Sequence, residues 1–210
     1  MKRYTKIICL SIAFCSIIMV GFAQPRGTKQ SSKFVYESSL SFASGVGNLN
    51  FEERSLPNRI PVFGIQQILA YQFNNYIFTG VGTGLDIWKH TAFIPLFANI
   101  SVNFTDKKIA PHWYANIGYS FKWYMSPEPE PMTRVIHGST PGLYGESGFG
   151  INVKLNDKVA LLVLANYKMQ NSQLKYSVRV PGEADFSQYS TNRSKSFFYH
   201  FVGLKVAVLY

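Results

Sequence analysis

Cysteine is nearly missing from this chain: there are two, Cys9 and Cys15, and both fall in the first two dozen residues. Past them, no disulfide framework and no thiolate chemistry is available. Clustered basic charge is also missing. The formal net charge is +10, yet no Lys/Arg run and no binding motif accompanies it, so nucleic acid is not expected as a partner. His90, His112 and His200 are isolated, with no carboxylate at metal-ligand spacing, which leaves neither a metal site nor another cofactor to propose. The remaining shortage is helix: beyond residue 23 no apolar period near 3.6 runs to a useful length.

What the N-terminus does have is a basic start, MKRYTK, then the apolar run IICLSIAFCSIIMVGFA. Gly21 and Ala23 stand at the −3 and −1 positions before Gln24, the pattern of a secretory signal peptide cut after Ala23. An uncleaved anchor is the rival reading, since seventeen apolar residues lie at the short end of the range for a spanning helix. Phe14 before Cys15 argues against a lipid anchor. Cleavage would leave residues 24–210 with no cysteine and a charge of +7, a surplus suited to anionic lipid or lipopolysaccharide phosphates. Residues 24–33 read as a short polar periplasmic tail, and residues 34–210 as one domain.

The dominant period after residue 33 is two, the period of a strand. Counted back from the end, Tyr210, Val208, Val206, Leu204 and Val202 share one face while Lys205 and Gly203 stand on the other. Seven further segments read in the same way: residues 34–44, 62–73, 76–88, 92–104, 112–124, 142–155 and 159–170. Asn74-Asn75, 105–111 and Asn156-Asp157-Lys158 mark short turns. Residues 45–60, 125–141 and 171–196 read as long connections, the second too rich in proline for regular strand and the third with a middle, LKYSVRV, that can extend its hairpin beyond the membrane; Pro95 signals a bulge or a strand end rather than regular pairing. Trp113 and Trp123 share a face ten residues apart, which on a tilted strand separates them by roughly 23 Å. With Tyr210 they fit the aromatic girdles that flank an apolar band of about 25 Å.

Charge segregates with the period. Glu37, Asp86, Lys122, Glu146, Lys154, Lys168 and Lys205 all lie opposite the apolar stripe. A lipid-facing charge at mid-depth costs about 2–4 kcal/mol, so the bilayer demands this separation, whereas a soluble lipocalin-like barrel would invert it. The expectation is an all-β, eight-stranded, antiparallel up-and-down transmembrane barrel with short turns at the periplasmic end. Its narrow lumen should be filled by side chains whose charges pair. Glu146 is expected opposite Lys168 with Lys122 nearby, and Glu37 level with Lys205 across the closing seam.

On the stretches IPLFANISVNF, WYANIGYSF, GESGFGINVKLN and FVGLKVAVLY, the chain resembles small outer-membrane β-barrels of the porin-like, OmpA/OmpX type, and is most similar to the barrel domains common in Bacteroidota. The resemblance implies a monomer in the outer membrane of a Gram-negative cell, met during insertion by the barrel assembly machinery that reads a terminal aromatic such as Tyr210. It also implies a structural or interaction role with loops at the cell surface. Two other roles stay open beside it. One is a small-solute channel. The other is an enzyme acting on lipid A: His137-Gly138-Ser139 resembles the His-x-Ser element of lipid A deacylases, with Glu146 as orienting acid, although Thr140 replaces the Asn that usually follows and the pair is expected in a loop. His112 and His200 are expected at membrane interfaces, and Glu128-Pro129-Glu130-Pro131 at a stiff solvated loop tip.

Overall fold

Alternation of apolar and polar residues makes each long segment a strand, and the strands close on themselves. The computed structural model describes residues 33–51, 54–88, 91–125, 134–178 and 192–210. Residues 1–32, and with them the expected signal peptide and most of the tail, lie outside that set, as does the Glu128–Pro131 run. In chain order the strands are β1 (Phe34–Val46), β2 (Asn48–Phe51), β3 (Arg54–Pro57), β4 (Pro61–Gln72), β5 (Ile77–Trp88), β6 (Thr91–Asn103), β7 (Ile109–Met125), β8 (Arg134–Lys154), β9 (Ala160–Val178) and β10 (Asn192–Leu209). Eight of them form a closed barrel in the order β1-β10-β9-β8-β7-β6-β5-β4, every neighbour antiparallel, with β1 also paired to β4. Closure removes the free sheet edges that an open β-structure would expose.

Side-chain chemistry explains the short turns. Asn74 Oδ1 accepts the backbone N–H of Tyr76 at 2.8 Å and of Ile77 at 2.9 Å. Asn156 Oδ1 does the same for Lys158 and Val159, both at 2.8 Å. In both turns an asparagine replaces a missing backbone acceptor, which is why this residue type marks them.

The pleat sorts the two faces with a polarity opposite to that of a soluble barrel. Among the described residues thirty large apolar side chains are exposed, among them Leu40, Phe42, Val81, Ile117, Phe149 and Leu204. Their sequence neighbours Glu37, Asp86, Glu146, Lys168 and Lys205 point inward and are buried. Where strand side chains are described, none of the outward ones carries a formal charge.

Four expectations need correction. Residues 171–196 are strand as far as Val178 on β9 and again from Asn192 on β10. The stretch 45–60 is not all loop, since β2 and β3 pair as a small hairpin entered through Gly47 at φ 78°. Nor is residues 125–141 all loop: β8 begins at Arg134, and its proline is absorbed by irregular register between Ile136 and Gly138 and between Pro141 and Tyr144. Bulges there let a residue without an N–H sit in a sheet. Pro95 likewise ends nothing. The β5–β6 register is kept on both sides of it, but regular pairing lapses between Thr83–Leu96 and Asp86–Phe93, where Thr83 Oγ1 donates to the Pro95 carbonyl at 3.0 Å. As a result β8, β9 and β10 reach 21, 19 and 18 residues, against 12 or 13 for β1, β4, β5 and β6. At the long-loop end these three strands extend past the last β7–β8 pair, Tyr119–Leu143.

Candidate functional site

The lumen concentrates the polar chemistry of the chain. At mid-height Lys168 Nζ and Asp86 Oδ1 are 2.7 Å apart, both residues fully buried. Room for this pair comes from Gly64, whose place directly beside Asp86 in the β4–β5 register is bare. A Cβ there would stand 2.6 Å from Asp86 Oδ1 and 2.5 Å from Ser41 Oγ.

Glu146 is the hub of a second group. Its Oε1 accepts from Tyr114 OH at 2.8 Å and Asn166 Nδ2 at 2.9 Å. Its Oε2 accepts from Gln66 Nε2 at 2.7 Å and from Tyr144 OH in a very short contact. Four donors on two oxygens use the acceptor capacity of a carboxylate. Gln66 then relays to a third group, because its Oε1 accepts from Lys205 Nζ at 2.9 Å. That ammonium lies 3.3 Å from Glu37 Oε1 and 4.3 Å above the Tyr114 ring. Satisfying Glu146 and Lys205 through several partners each is what makes buried charge of this kind tolerable.

Apolar layers flank the network. Toward the long loops, Trp88 packs on Phe93, Tyr199 and Phe201 at centroid distances of 4.6, 5.2 and 4.9 Å, joined by Val62, Ala43 and Phe197. Toward the short turns lie Leu162, Leu164 and Ala207 with Tyr114. Below them His112 Nδ1 and Asn103 Oδ1 are 2.7 Å apart, and Asn152 Nδ2 donates to that same oxygen at 3.1 Å. The small recess at this mouth, bordered by Glu37, Asn99, Ser101 and His112, has free space of about 10 Å³. That is on the order of what one water requires.

Of the seven charges expected in the lumen, the structure brings five together. Glu146 does stand opposite Lys168 in the β8–β9 register, but the long lysine side chain reaches across to Asp86 on β5 instead. Lys122 stands opposite Phe93 on β6, past the end of β7–β8 pairing. Lys154 belongs to the rim: it meets Asp106 at 2.5 Å, with both side chains about half exposed. His112 is corrected too, since it faces the lumen and is buried rather than lying at an interface. His200 faces outward, its Nδ1 2.6 Å from Tyr167 OH.

Among the expected girdle residues, Trp113 faces out near the short turns and donates from Nε1 to Ser147 Oγ at 3.1 Å. Trp123 is exposed toward the long loops, and Tyr210 stacks on Tyr36 at 5.9 Å. Periodicity left the buried tyrosines Tyr114 and Tyr144 and the amide Gln66 unassigned, although each occupies an inward position on its strand. Their parity was the available signal.

His137 and Ser139 lie on β8, not in a loop, and their side chains fall outside the described set. Along that strand Glu146 is nine residues from His137 and seven from Ser139, roughly 30 and 23 Å. Its carboxylate is also committed to four donors in the lumen. These three residues therefore do not form a triad.

No family model matches this sequence, and no curated protein sequence matches it. Among solved structures, Neisserial surface protein A is similar over 86% of this chain and 99% of its own, at 12% identity and a TM-score of 0.49. The outer-membrane protein OprG from Pseudomonas aeruginosa is similar over 84% of this chain and 96% of its own, at 11% identity and a TM-score of 0.46.

Proposed function

We propose that this chain is an outer-membrane β-barrel of structural or interaction type. On this reading the lumen is closed to solutes and the long-loop end forms the extracellular surface. One observation carries it: buried charge inside and an uncharged apolar wall outside. A soluble monomer rarely exposes an apolar patch above a few hundred Å², and thirty large exposed apolar side chains distributed around a closed barrel far exceed that. In a bilayer the same wall is matched to its solvent, and closure of the sheet pairs backbone polar groups between neighbouring strands all round. Aromatic residues near both ends of the wall, Tyr36, Tyr71 and Tyr210 at one and Tyr119, Phe121 and Trp123 at the other, suit the two interfaces. Short turns then face the periplasm and long loops the exterior. Export would depend on residues 1–23.

The role is read as non-enzymatic and non-conducting on the strength of the bonds that cross the lumen, Lys168 to Asp86, Lys205 to Gln66 and Gln66 to Glu146, with Trp88, Phe93 and Phe201 packed above them. Planar-bilayer recording from purified protein is the test. The expected result is insertion without steady conductance. A steady, voltage-independent ion current from heat-modifiable, folded barrel would overturn the closed lumen while leaving the membrane assignment standing.

A further inference from the structure

The rim at the short-turn end carries its charge on one side. The β6–β7 turn holds Asp106, Lys107 and Lys108, the end of β8 holds Lys154, and the β8–β9 turn holds Asp157 and Lys158, so that four lysines face two aspartates for a net charge of +2. Across the ring the β4–β5 turn, residues 73–76, has no charged residue. Because β7 and β8 are neighbours, the two charged turns are clasped together: Lys154 N–H donates to the Lys108 carbonyl at 2.8 Å. The Lys154 ammonium is taken by Asp106, reaching Oδ1 at 2.5 Å and the carbonyl at 3.0 Å. Lys107, Lys108 and Lys158 are exposed, and Asp157 is the remaining acid in this sector.

The wall that rises from these turns is apolar. Phe104 and Phe149 stand outward with ring centroids 6.2 Å apart, and Ile109 and Leu155, which flank the turns, are 60% and 59% exposed. Trp113, paired with Phe149 across β7 and β8, belongs to the same strip. The two parts suit the two halves of one ligand. Aromatic and branched side chains on the wall match hydrocarbon, while flexible lysine stems at its foot carry their ammonium groups to the head-group level. A zwitterionic lipid brings its own cation to its phosphate. An anionic phospholipid leaves that phosphate to the protein, and basic residues gathered within a Debye length act on it together.

Resting on the membrane reading above, we propose that the β7–β8 sector of this rim is a binding site for an anionic phospholipid, its acyl chains along Phe104, Phe149 and Ile109 and its phosphate among Lys107, Lys108 and Lys158. On that reading the short turns face the periplasm, so the ligand is a phospholipid of the periplasmic leaflet and not lipopolysaccharide. The bond from Lys154 to the Lys108 carbonyl, and the Asn156 side chain that holds the backbone N–H of Lys158 at 2.8 Å, fix the two turns that present the lysines.

Tryptophan quenching by brominated lipids tests this on the full chain folded in phosphatidylcholine vesicles. The chain has three tryptophans, and Trp88 is buried in the lumen, so in a Trp123→Phe background Trp113 reports on the wall beside the site. At equal mole fraction, brominated phosphatidylglycerol should quench Trp113 as though enriched about fivefold over brominated phosphatidylcholine, roughly the worth of one lysine at an anionic surface. Raised salt should lower that enrichment. Lys107→Gln, Lys108→Gln and Lys158→Gln together should bring the two lipids to equality while the barrel keeps its heat-shifted electrophoretic mobility, since all three side chains are exposed. Equal quenching by the two lipids before the lysines are changed, or an enrichment that survives the three glutamines, would overturn the site. Absence of quenching by either lipid in the folded barrel would instead strike at the membrane reading.

Discussion

Replacing Lys168 with methionine is the sharpest probe of the lumen. The Asp86–Lys168 pair is fully buried, and Gly64 leaves only enough room for the two charged ends. Met keeps most of the side-chain volume and removes the ammonium. Asp86 Oδ1 then loses its 2.7 Å partner, and Asp86 Oδ2 already has none among the described residues. Lys205 is held by Gln66 and Glu37, so it does not substitute. Removing one partner of a buried pair typically costs about 3–5 kcal/mol, because the surviving charge stays desolvated. At about 1.4 kcal/mol per decade, the folding equilibrium should fall by roughly two to three and a half powers of ten. Asp86→Leu combined with Lys168→Met removes both charges, and similar replacements of buried pairs are often neutral or stabilising. The assay is reversible urea unfolding from phosphatidylcholine vesicles, followed by tryptophan fluorescence. The reasoning fails if the single variant loses under about 1 kcal/mol, or if the double variant is no more stable than the single one.

Two further perturbations address the wall. Leu204 is 65% exposed and adjoins Lys205, which is fully buried. Leu204→Lys places a charge on the outer face at mid-depth and should cost about 2–4 kcal/mol in the same unfolding assay; a loss within a few tenths of a kcal/mol would show that this face does not meet lipid. Deleting Tyr210 removes the paired backbone bonds with Tyr36, at 2.8 and 2.9 Å, and the ring stacked on it. The amount of heat-modifiable barrel recovered from outer membranes should drop, and recovery at the wild-type level would argue against the terminal residue as part of the closing contact.

Most of the barrel is legible in sequence because a membrane wall and a filled lumen impose one simple rule on every strand. Leu143, Phe149 and Ile151 against Glu146 and Asn152 is enough to orient β8, with no knowledge of its neighbours. The Asn74 and Asn156 turns are equally local, since one side chain caps two backbone donors in each. What escapes is anything that depends on contacts across the lumen. Register correctly sets Glu146 beside Lys168, yet a lysine side chain is long enough to cross a narrow barrel, so its ion pair forms with β5. Glu146, shorter, is satisfied by two tyrosines and two amides. The start of β8 at Arg134 is hidden for a different reason: Pro141 and its neighbours have poor strand propensity, and pairing with a long β9 overrides it.

The seam between β1 and β10 shows how the two faces of the wall act on one choice. Tyr36 and Glu37 are adjacent in sequence and therefore face opposite sides: Tyr36 stacks on Tyr210 outside while Glu37 approaches Lys205 inside, at 3.3 Å. A closing strand shifted by one residue would exchange its faces, because the side-chain period is two. Lys205 would then meet lipid, at about 2–4 kcal/mol near mid-depth, and Glu37 would lose its buried partner at a further cost of similar order. Val206 and Leu204 would turn into the polar lumen at the same time and strand the Gln66 amide. The C-terminal strand is thus selected in register by the lumen network as much as by its own apolar stripe, and a barrel closed in the wrong register would be penalised on both faces at once.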